Sequence, residues 1–518
     1  MKTNLHSRAT VTTPPRSAPA VDPFAPAVAQ FEQTLAWARD LSVDLSAEQL
    51  ERKLLVDARE VARCVLQGRL DARAAREREA PTAPKGFTLV PRFRASARAL
   101  QTVFGDVTVR RLCWRDRNHF IVRPADAELN LPPERYSLMV RRFVAEGVAT
   151  RSFDTTLAEL GRQGIDVPKR QAQQLVARMA QDFESFYAWQ QAPVNDTPAA
   201  PSDLLVMSCD SKGVRMLLRA LREATRKAAQ EERGRPRGDP MARRRERTHD
   251  RRMAVVTAIW DQPPKPRDPD VIVDNLRPAG QRSFAPELSE MPRPRNKRVN
   301  ATLTNDMPRA IADLFDEAER RDPAHARTWV MLLDGADEQR RLVEREAERR
   351  GVRVTIVMDL LHVLHYLWQA AMALHGDEEG EAEGCVRRYV GKVLRRPMAD
   401  VAAGLRQSAT LRKLTGKARE VVDRCADYLA DRAPWLAYEA ALAAGLPIAT
   451  GVIEGACRHL VQDRMGITGA CWDLPMAEAV LRLRALVSSG HWEAYVAFHL
   501  RCEHERNRHL ARGLEVAA

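Results

Sequence analysis

The chain has 518 residues, 45% apolar, 29% charged and 6% aromatic, with a formal net charge of +13. This composition excludes a wholly disordered chain, and the length suffices for about three or four domains. The positive balance favours a polyanionic partner, nucleic acid ahead of an acidic membrane surface.

No apolar run of about 18 residues is present, so no membrane span is expected. The start, Met1-Lys-Thr-Asn-Leu-His-Ser, lacks the apolar core of a signal peptide. The eight cysteines include no Cys-x-x-Cys pair, so neither a disulfide framework nor a structural zinc site is expected. A reduced, cytoplasmic chain follows.

Residues 1–27, rich in Pro, Ala, Ser and Thr, are expected to be a disordered tail. Over 28–95, apolar residues recur three and four apart (Phe31, Leu35; Leu50, Leu54), which predicts a helical segment. Residues 96–125 alternate apolar and polar around Gly105-Asp106 and read as a small β-module. Cys113 is its one cysteine, too few for a zinc site. Helical periodicity returns over 126–190, in two runs parted by GRQGIDVPKR. A Gly-containing turn followed by a basic helix start, Lys169-Arg170, fits a helix-turn-helix that contacts DNA, or an ordinary bundled pair.

Residues 191–203 are a Pro-rich linker, and 204–512 read as an α/β unit. Its strand candidates are LLVMSCD (204–210), MAVVTAIW (253–260), WVMLLD (329–334) and VRVTIVMD (352–359). A helix at Glu338–Arg350 separates the last two, the alternation of an α/β core. Residues 363–446 read as nearly all helix, interrupted by the acidic loop GDEEGEAEG, and helix resumes from Ile453 to about Leu510.

Three acids are singled out by position. Asp210 closes the first strand. Asp334 closes a later one and is followed by Gly335, which lets the chain turn at once. Glu454 lies near a helix start in GVIEGACRHLVQDRM. Strand ends of α/β sheets collect ligand-handling groups. Two carboxylates from strand ends and one from a helix form an oxygen-only cage suited to Mg²⁺ or Mn²⁺. Two such ions, roughly 3.5–4 Å apart, activate a water or a 3′-hydroxyl for in-line phosphoryl transfer. The competing account of each acid is a turn former or helix cap.

The stretches VMSCDSKGVRM, VTIVMDLLHVLHYLWQAA and ATGVIEGACRHLVQDRMGITGACW, followed by AEAVLRLRAL, resemble bacterial insertion-sequence transposases of the ISKra type. The resemblance covers roughly 200–500. It implies a ribonuclease-H-like catalytic core: a mixed sheet with helices on both faces and an all-helical insertion, matched by 363–446, ahead of the glutamate. It further implies an Asp-Asp-Glu site of Asp210, Asp334 and Glu454 with about two Mg²⁺ or Mn²⁺ ions, acting on element ends and target DNA. Asp359 is the alternative second acid, because Asp359-Leu-Leu-His362 looks like the Asp-x-x-His element of Mutator-like relatives. His362 is then expected near the substrate phosphate or packed against the acids. Arg458, four residues after Glu454, is expected to hold the glutamate, touch a phosphate or form an intrahelical ion pair. Trp472 either stacks on a base or packs in the core, with core packing preferred, and Cys209 is expected in the core.

Residues 233–252 carry nine arginines in twenty positions and read as a flexible basic loop. Arg233, Arg235, Arg237, Arg243, Arg244 and Arg245 there, with Arg295, Lys297 and Arg298 in RPRNKR (293–298), read as a second loop, are candidate phosphate contacts. Lys169 and Arg170 join them. The expected activity is DNA cleavage and strand transfer by a homodimer or higher oligomer on DNA. The rivals are a catalytically silent DNA-binding descendant and a ribonuclease-H-like nuclease that does not join strands. A Walker A loop is absent, which leaves an ATP-driven activity without support.

Overall fold

In the computed structural model the described residues are 22–512, other than 43, 80, 82–84, 91–95, 116, 119, 120, 191–199, 201, 235–249, 377 and 378. The protein is mixed α/β and divides into two units. One comprises Met1–Arg141, Glu159–Val167 and Arg501–Ala518, the other Arg142–Ala158 and Pro168–Leu500. Among the described residues no helix is long and apolar enough to cross a membrane.

In the first unit, helices α1 (Ala25–Arg39) and α2 (Ala47–Glu79) precede short strands. These are β1 (Thr88–Leu89), β2 (Ser96–Thr102), β3 (Gly105–Arg111), β4 (Trp114–Arg115) and β5 (Ile121–Val122), followed by helix α3 (Pro124–Glu128). The predicted hairpin forms, β2 pairing antiparallel with β3 from Ser96↔Arg111 to Thr102↔Gly105. Gly105 carries a φ of +123° at its turn, a conformation open mainly to glycine. Alternation along β3 buries Val107 and Val109, which join Leu70 of α2, Leu100 and Leu131 in one apolar cluster. β1, β4 and β5 make a second, antiparallel sheet. The predicted tail is shorter than expected: residues 1–21 lie outside the described residues, and α1 already begins at Ala25 with Pro26 in its first turn, where a missing N–H costs nothing.

Helices α4 (Leu138–Thr150), α5 (Phe153–Arg162), α6 (Lys169–Ala180) and α7 (Phe183–Trp189) follow. The second unit is built on five strands: β6 (Leu204–Arg215), β7 (Arg251–Gln262), β8 (Arg295–Thr302), β9 (Trp329–Leu333) and β10 (Val354–Met358). Their order across the sheet is β10-β9-β6-β7-β8. β6–β7 and β7–β8 are antiparallel, while β6–β9 and β9–β10 are parallel. β6 is therefore central, and its residues from Leu204 to Cys209 are all buried, as the unbroken apolar run LLVMSC requires. Helices α8 (Glu223–Gly234), α9 (Pro269–Asp274), α10 (Met307–Arg321) and α11 (Asp337–Arg350) lie between the strands in sequence. α11 starts with Asp337 and Glu338 and ends with Arg349 and Arg350 before Gly351, the charge order that suits a helix dipole.

The insertion is helical as predicted: α12 (Leu360–His375), α13 (Glu379–Val393), α14 (Met398–Leu411), α15 (Gly416–Asp431) and α16 (Tyr438–Ala443). The acidic stretch is less of a loop than expected, because Glu379, Glu381 and Glu383 form the start of α13, where negative charge is favoured. The chain ends with α17 (Gly451–Ala456), a π-helical turn (Cys457–Gln462), α18 (Leu474–Ser488) and α19 (Trp492–Arg512).

Four other expectations are corrected. β6 does not end at Asp210 but pairs with β7 as far as Arg215↔Arg251; its outer half, DSKGVR, carries no apolar run to reveal it. RPRNKR is not a loop, since residues 295–302 form edge strand β8. The arginine segment is bounded by structure, with Arg233 in α8 and Arg251 and Arg252 in β7, while 235–249 lie outside the described residues. The predicted linker lies mostly outside the described residues and does not divide the units. α6 and α7 belong with the sheet because Ala172, Leu175, Val176 and Met179 are buried where α6 packs on α18. Tyr495 donates to the Met179 carbonyl and His499 meets Asp182 at 2.6 Å.

Candidate active site

The parallel pairing of β6 with β9 stops two residues short of Asp210, which is on β6, and of Asp334, which follows β9. β6 pairs with β9 as Leu205↔Trp329 through Ser208↔Leu332, and two residues further in the same register are Asp210 and Asp334. β9 pairs with β10 as far as Leu333↔Met358, so the next step beside Asp334 is Asp359. Asp334 and Asp359 thus directly follow the ends of β9 and β10, while Asp210 lies within β6.

Asp210 sits on β6, half-buried. Its Oδ1 accepts the Ser211 N–H at 2.6 Å, and its Oδ2 accepts the Cys457 thiol at 3.1 Å. Cys457 follows α17 directly, three residues after Glu454, so this contact ties the glutamate's helix to the central strand. Burial pushes the Cys457 thiol well above its usual range; the charge and hydrogen bond of Asp210 add to the effect, Lys212 opposes it, and Glu454 adds a smaller push upwards. Burial likewise raises the Cys209 thiol, helped by Asp334 and then Asp210. Each pair of acids is therefore felt at a shared buried sulfur, with Asp210 common to both. Cys209 itself is 1% exposed, a core residue as expected.

Asp334 is half-buried and accepts the Ala336 N–H at 3.0 Å. The turn beneath it needs glycine: Gly335 has a φ of +98°, and a Cβ there would lie 2.5 Å from the Tyr428 hydroxyl. That hydroxyl donates to the Asp334 carbonyl at 3.3 Å, and Arg432 Nε donates to the Gly335 carbonyl at 2.9 Å. The helical insertion, through α15, thus fixes the turn after β9. Tyr428 stacks on Tyr366 with ring centres 4.1 Å apart.

Asp359 differs from the other acids. It is buried, caps α12 by accepting the Leu361 N–H at 2.9 Å, and accepts the Thr450 hydroxyl. Thr450 is the residue before α17, so Asp359 anchors the approach to Glu454. Burial raises its carboxyl above the usual value, opposed by the Thr450 and Leu361 hydrogen bonds and by His362. Both its oxygens are engaged in holding the fold. This is the turn-and-cap role, and it favours Asp334 as the second acid.

Glu454 is exposed on α17 and makes no side-chain hydrogen bond or ion pair among the described residues. Arg458 does not hold it: that guanidinium reaches Asp463 at 3.7 Å, beside the His459–Asp463 contact at 3.0 Å. The helix widens to a π-turn from Cys457, a feature frequent at functional sites. His362 packs beside Asp359 and the aromatic pair, with ring centres 5.5 Å from Tyr366 and 6.0 Å from Tyr428. Trp472 is buried and donates to the Met465 carbonyl at 3.0 Å, the core placement preferred from sequence.

The three carboxylates do not close into a cage. Among the described residues no three His, Cys, Asp or Glu side chains form a metal-holding group. Carboxylates lacking a cation repel by about 4 kcal/mol at 4 Å and an effective dielectric of 20, so separation is what their charges favour. Their chemistry nevertheless suits a hard divalent ion: all are oxygen donors, at least half-exposed or accessible in part, and none pairs with a Lys or Arg among the described residues.

The predicted phosphate contacts fare unevenly. Arg295 pairs with Asp203, and Arg298 pairs with Glu317 and lies 3.5 Å from the Tyr187 ring centre. Both are therefore engaged in packing the sheet edge. Lys297 is half-exposed. Lys169 pairs with Asp154 at 2.7 Å, while Arg170 is exposed. Arg233 lies in α8, and Arg235, Arg237, Arg243, Arg244 and Arg245 lie outside the described residues.

Sequence reasoning missed Cys457, Thr450, Tyr428 and Arg432. Cys457 had a signal, its i+3 spacing from Glu454. The others reach the site from the insertion and a loop, with nothing in sequence to mark them. Compared with protein-family models, curated proteins and solved structures, the chain matches none.

Proposed function

We propose that this chain is a DNA transposase of the Asp-Asp-Glu type, with a ribonuclease-H-like core that cleaves and joins insertion-sequence ends. The observation that carries the reading is the placement of Asp210 on β6 and of Asp334 directly after the adjacent parallel strand β9, each two residues beyond the last β6–β9 pair, with the Glu454 helix tethered to Asp210 through Cys457. A central first strand, a sheet with two antiparallel and two parallel strand pairings, and a helical insertion ahead of the glutamate are the layout this reading calls for.

Asp210, Asp334 and Glu454 would hold Mg²⁺ or Mn²⁺, about two ions, which when bound activate a water or 3′-hydroxyl and stabilise the departing oxygen. The protein's own part is positioning. Asp359 fixes the approach to α17 through Thr450, Cys457 orients the Asp210 carboxylate, and Tyr428 with Arg432 locks the turn that presents Asp334. Arginines of the 235–249 segment supply phosphate contacts that hold DNA without reading its sequence. Joining two ends in one complex calls for a homodimer or higher oligomer.

The test is Mg²⁺-dependent cleavage of DNA carrying the element's terminal inverted repeats. Asp210→Asn is expected to abolish cleavage and leave DNA affinity within about twofold. A variant that still cuts sinks the assignment. DNA binding without cleavage by the unaltered protein, with Mg²⁺ and Mn²⁺ both tried, would instead select the silent DNA-binding descendant, a reading favoured by the open arrangement of the acids.

A further inference from the structure

Beyond the three acids, the second unit carries two adjoining cavities that share Leu217, Arg219 and Cys471. One, of about 440 Å³, has an apolar side of Phe153, Ile467, Pro475 and Met476 and a charged side on which Lys169 pairs with Asp154 and Arg219 with Asp473, leaving Arg464 as the cation with no acid partner among the described residues. The other, of about 680 Å³, is bordered by Arg226, Lys227 and Gln230 of α8.

Arg464 is the unusual member. It is 2% exposed, donates through Nε to the Val148 carbonyl at 2.9 Å, and lies 4.9 Å from the Trp472 ring centre. Its Nη2 is buried with no hydrogen-bond partner among the described residues. Leaving a buried guanidinium donor unmade is costly, and an acidic oxygen entering the cavity would relieve it. Arg226 also has no anionic partner among the described residues, whereas Lys227 pairs with Glu223 and Arg219 with Asp473, both at exposed positions.

We infer that this pair of cavities seats a short single-stranded segment of DNA, one nucleotide entering between the apolar side and Arg464, its neighbours' phosphates lying along Arg219, Arg226 and Lys227. The inference rests on the DNA-processing reading above and names where a frayed strand is held. A cavity of 440 Å³ is of small-ligand size; a duplex, whose major groove alone is about 12 Å wide, does not enter it. Sites for single strands combine a cationic track with a surface that receives a base, and both are present here. The free mononucleotide shares this chemistry, but it lacks the flanking phosphates that the α8 side would engage.

Cys471 reports occupancy directly, since it is exposed where the two cavities meet, while the other described cysteines are buried or half-buried. The experiment measures its rate of modification by a thiol reagent in full-length Asp210→Asn protein, with Cys471→Ser identifying the signal. Oligothymidylate of about twelve nucleotides is expected to slow the reaction tenfold or more at saturation, with thymidine monophosphate and a duplex of equal length leaving the rate nearly unchanged. Unslowed modification with oligothymidylate bound, or equal protection by the mononucleotide or the duplex, overturns the inference. As a second measurement, Arg219→Ala/Arg226→Ala/Lys227→Ala alters exposed or half-exposed positions. It should flatten the slope of log affinity for oligothymidylate against log salt by about 2, from about 0.7 per phosphate contact; an unchanged slope also overturns it. Cleavage by Asp210→Asn together with protected Cys471 would remove the catalytic assignment and keep this one. Loss of cleavage with unprotected Cys471 does the reverse.

Discussion

Asp334 and Asp359 follow neighbouring strands, and opposite mutational signatures separate them. Asp359→Ala removes the cap of α12 and the acceptor of Thr450. Losing a cap costs about 0.5–2 kcal/mol, and stranding a buried hydroxyl costs about 1–3 kcal/mol, so the variant should lose about 2–4 kcal/mol. Asp334→Ala gives up one hydrogen bond to Ala336 at a half-exposed site, under about 1 kcal/mol, yet it should eliminate cleavage. Urea unfolding followed by circular dichroism reads the first quantity as a shift in midpoint, and the end-cleavage assay reads the second. Asp359→Asn keeps one acceptor, for the Leu361 N–H, turns the group facing Thr450 into a donor to its hydroxyl oxygen, and removes the charge. Because burial raises the Asp359 carboxyl above its ordinary 3.8, its stabilising contribution is complete below that value and fades as pH rises through the raised folded value. The wild-type advantage over Asp359→Asn should therefore be largest in acid and shrink across that window. An Asp359→Ala protein that keeps its stability but cannot cut, beside an Asp334→Ala protein that still cuts, would refute the assignment of roles.

Other consequences are as direct. Cys457→Ala should lower cleavage 10- to 100-fold, the usual scale for a group that orients a metal ligand, and raise the Mg²⁺ concentration needed; Cys457→Ser, which keeps a donor to Asp210, should recover most of it. Glu317 is held down to about 2 by Arg298, Arg321 and Arg320 against the cost of burial, so its contribution should persist above pH 4.5 and drain away as pH falls towards 2. Glu317→Ala strands these arginines and should cost about 3–5 kcal/mol, while Arg298→Ala should weaken the fold without altering the salt dependence of DNA binding. Replacing Arg243, Arg244 and Arg245 by alanine should flatten the log–log salt slope for duplex DNA by up to about 2.7, from 0.9 per phosphate; an unaltered slope removes that segment from the interface.

The parts of the fold legible in the sequence were those that solve burial by a single local pattern. LLVMSC, AVVTAIW and WVMLL announce central strands because both faces are covered, and the insertion announces helices by its periodicity. β8 was hidden because RNKRVNAT is an edge strand whose arginines face acids supplied by distant residues, Asp203 and Glu317. The outer half of β6 was hidden for a similar reason: DSKGVR is only partly buried, and pairing with β7 rather than side-chain burial extends it. At the site, the acids were visible as carboxylates beside apolar runs. What distinguished Asp359 from Asp334 was not, because the distinction depends on Thr450, which lies 91 residues away in the chain.

The charge pattern separates structural acids from the proposed working ones. Arg350 reaches Asp316, Glu319 and Glu346, and Glu317 draws in Arg298, Arg320 and Arg321. In a chain with 82 Lys and Arg against 69 Asp and Glu, an acid near a strand end finds a basic partner readily. Asp210, Asp334 and Glu454 have none among the described residues, although they influence the same buried thiols. An ion pair at these positions would have stabilised the empty protein by compensating the very charge that a divalent cation needs. Leaving the carboxylates uncompensated, and tethering their backbones through Cys457, Thr450 and Tyr428 instead, keeps the charge available while the fold bears the cost elsewhere.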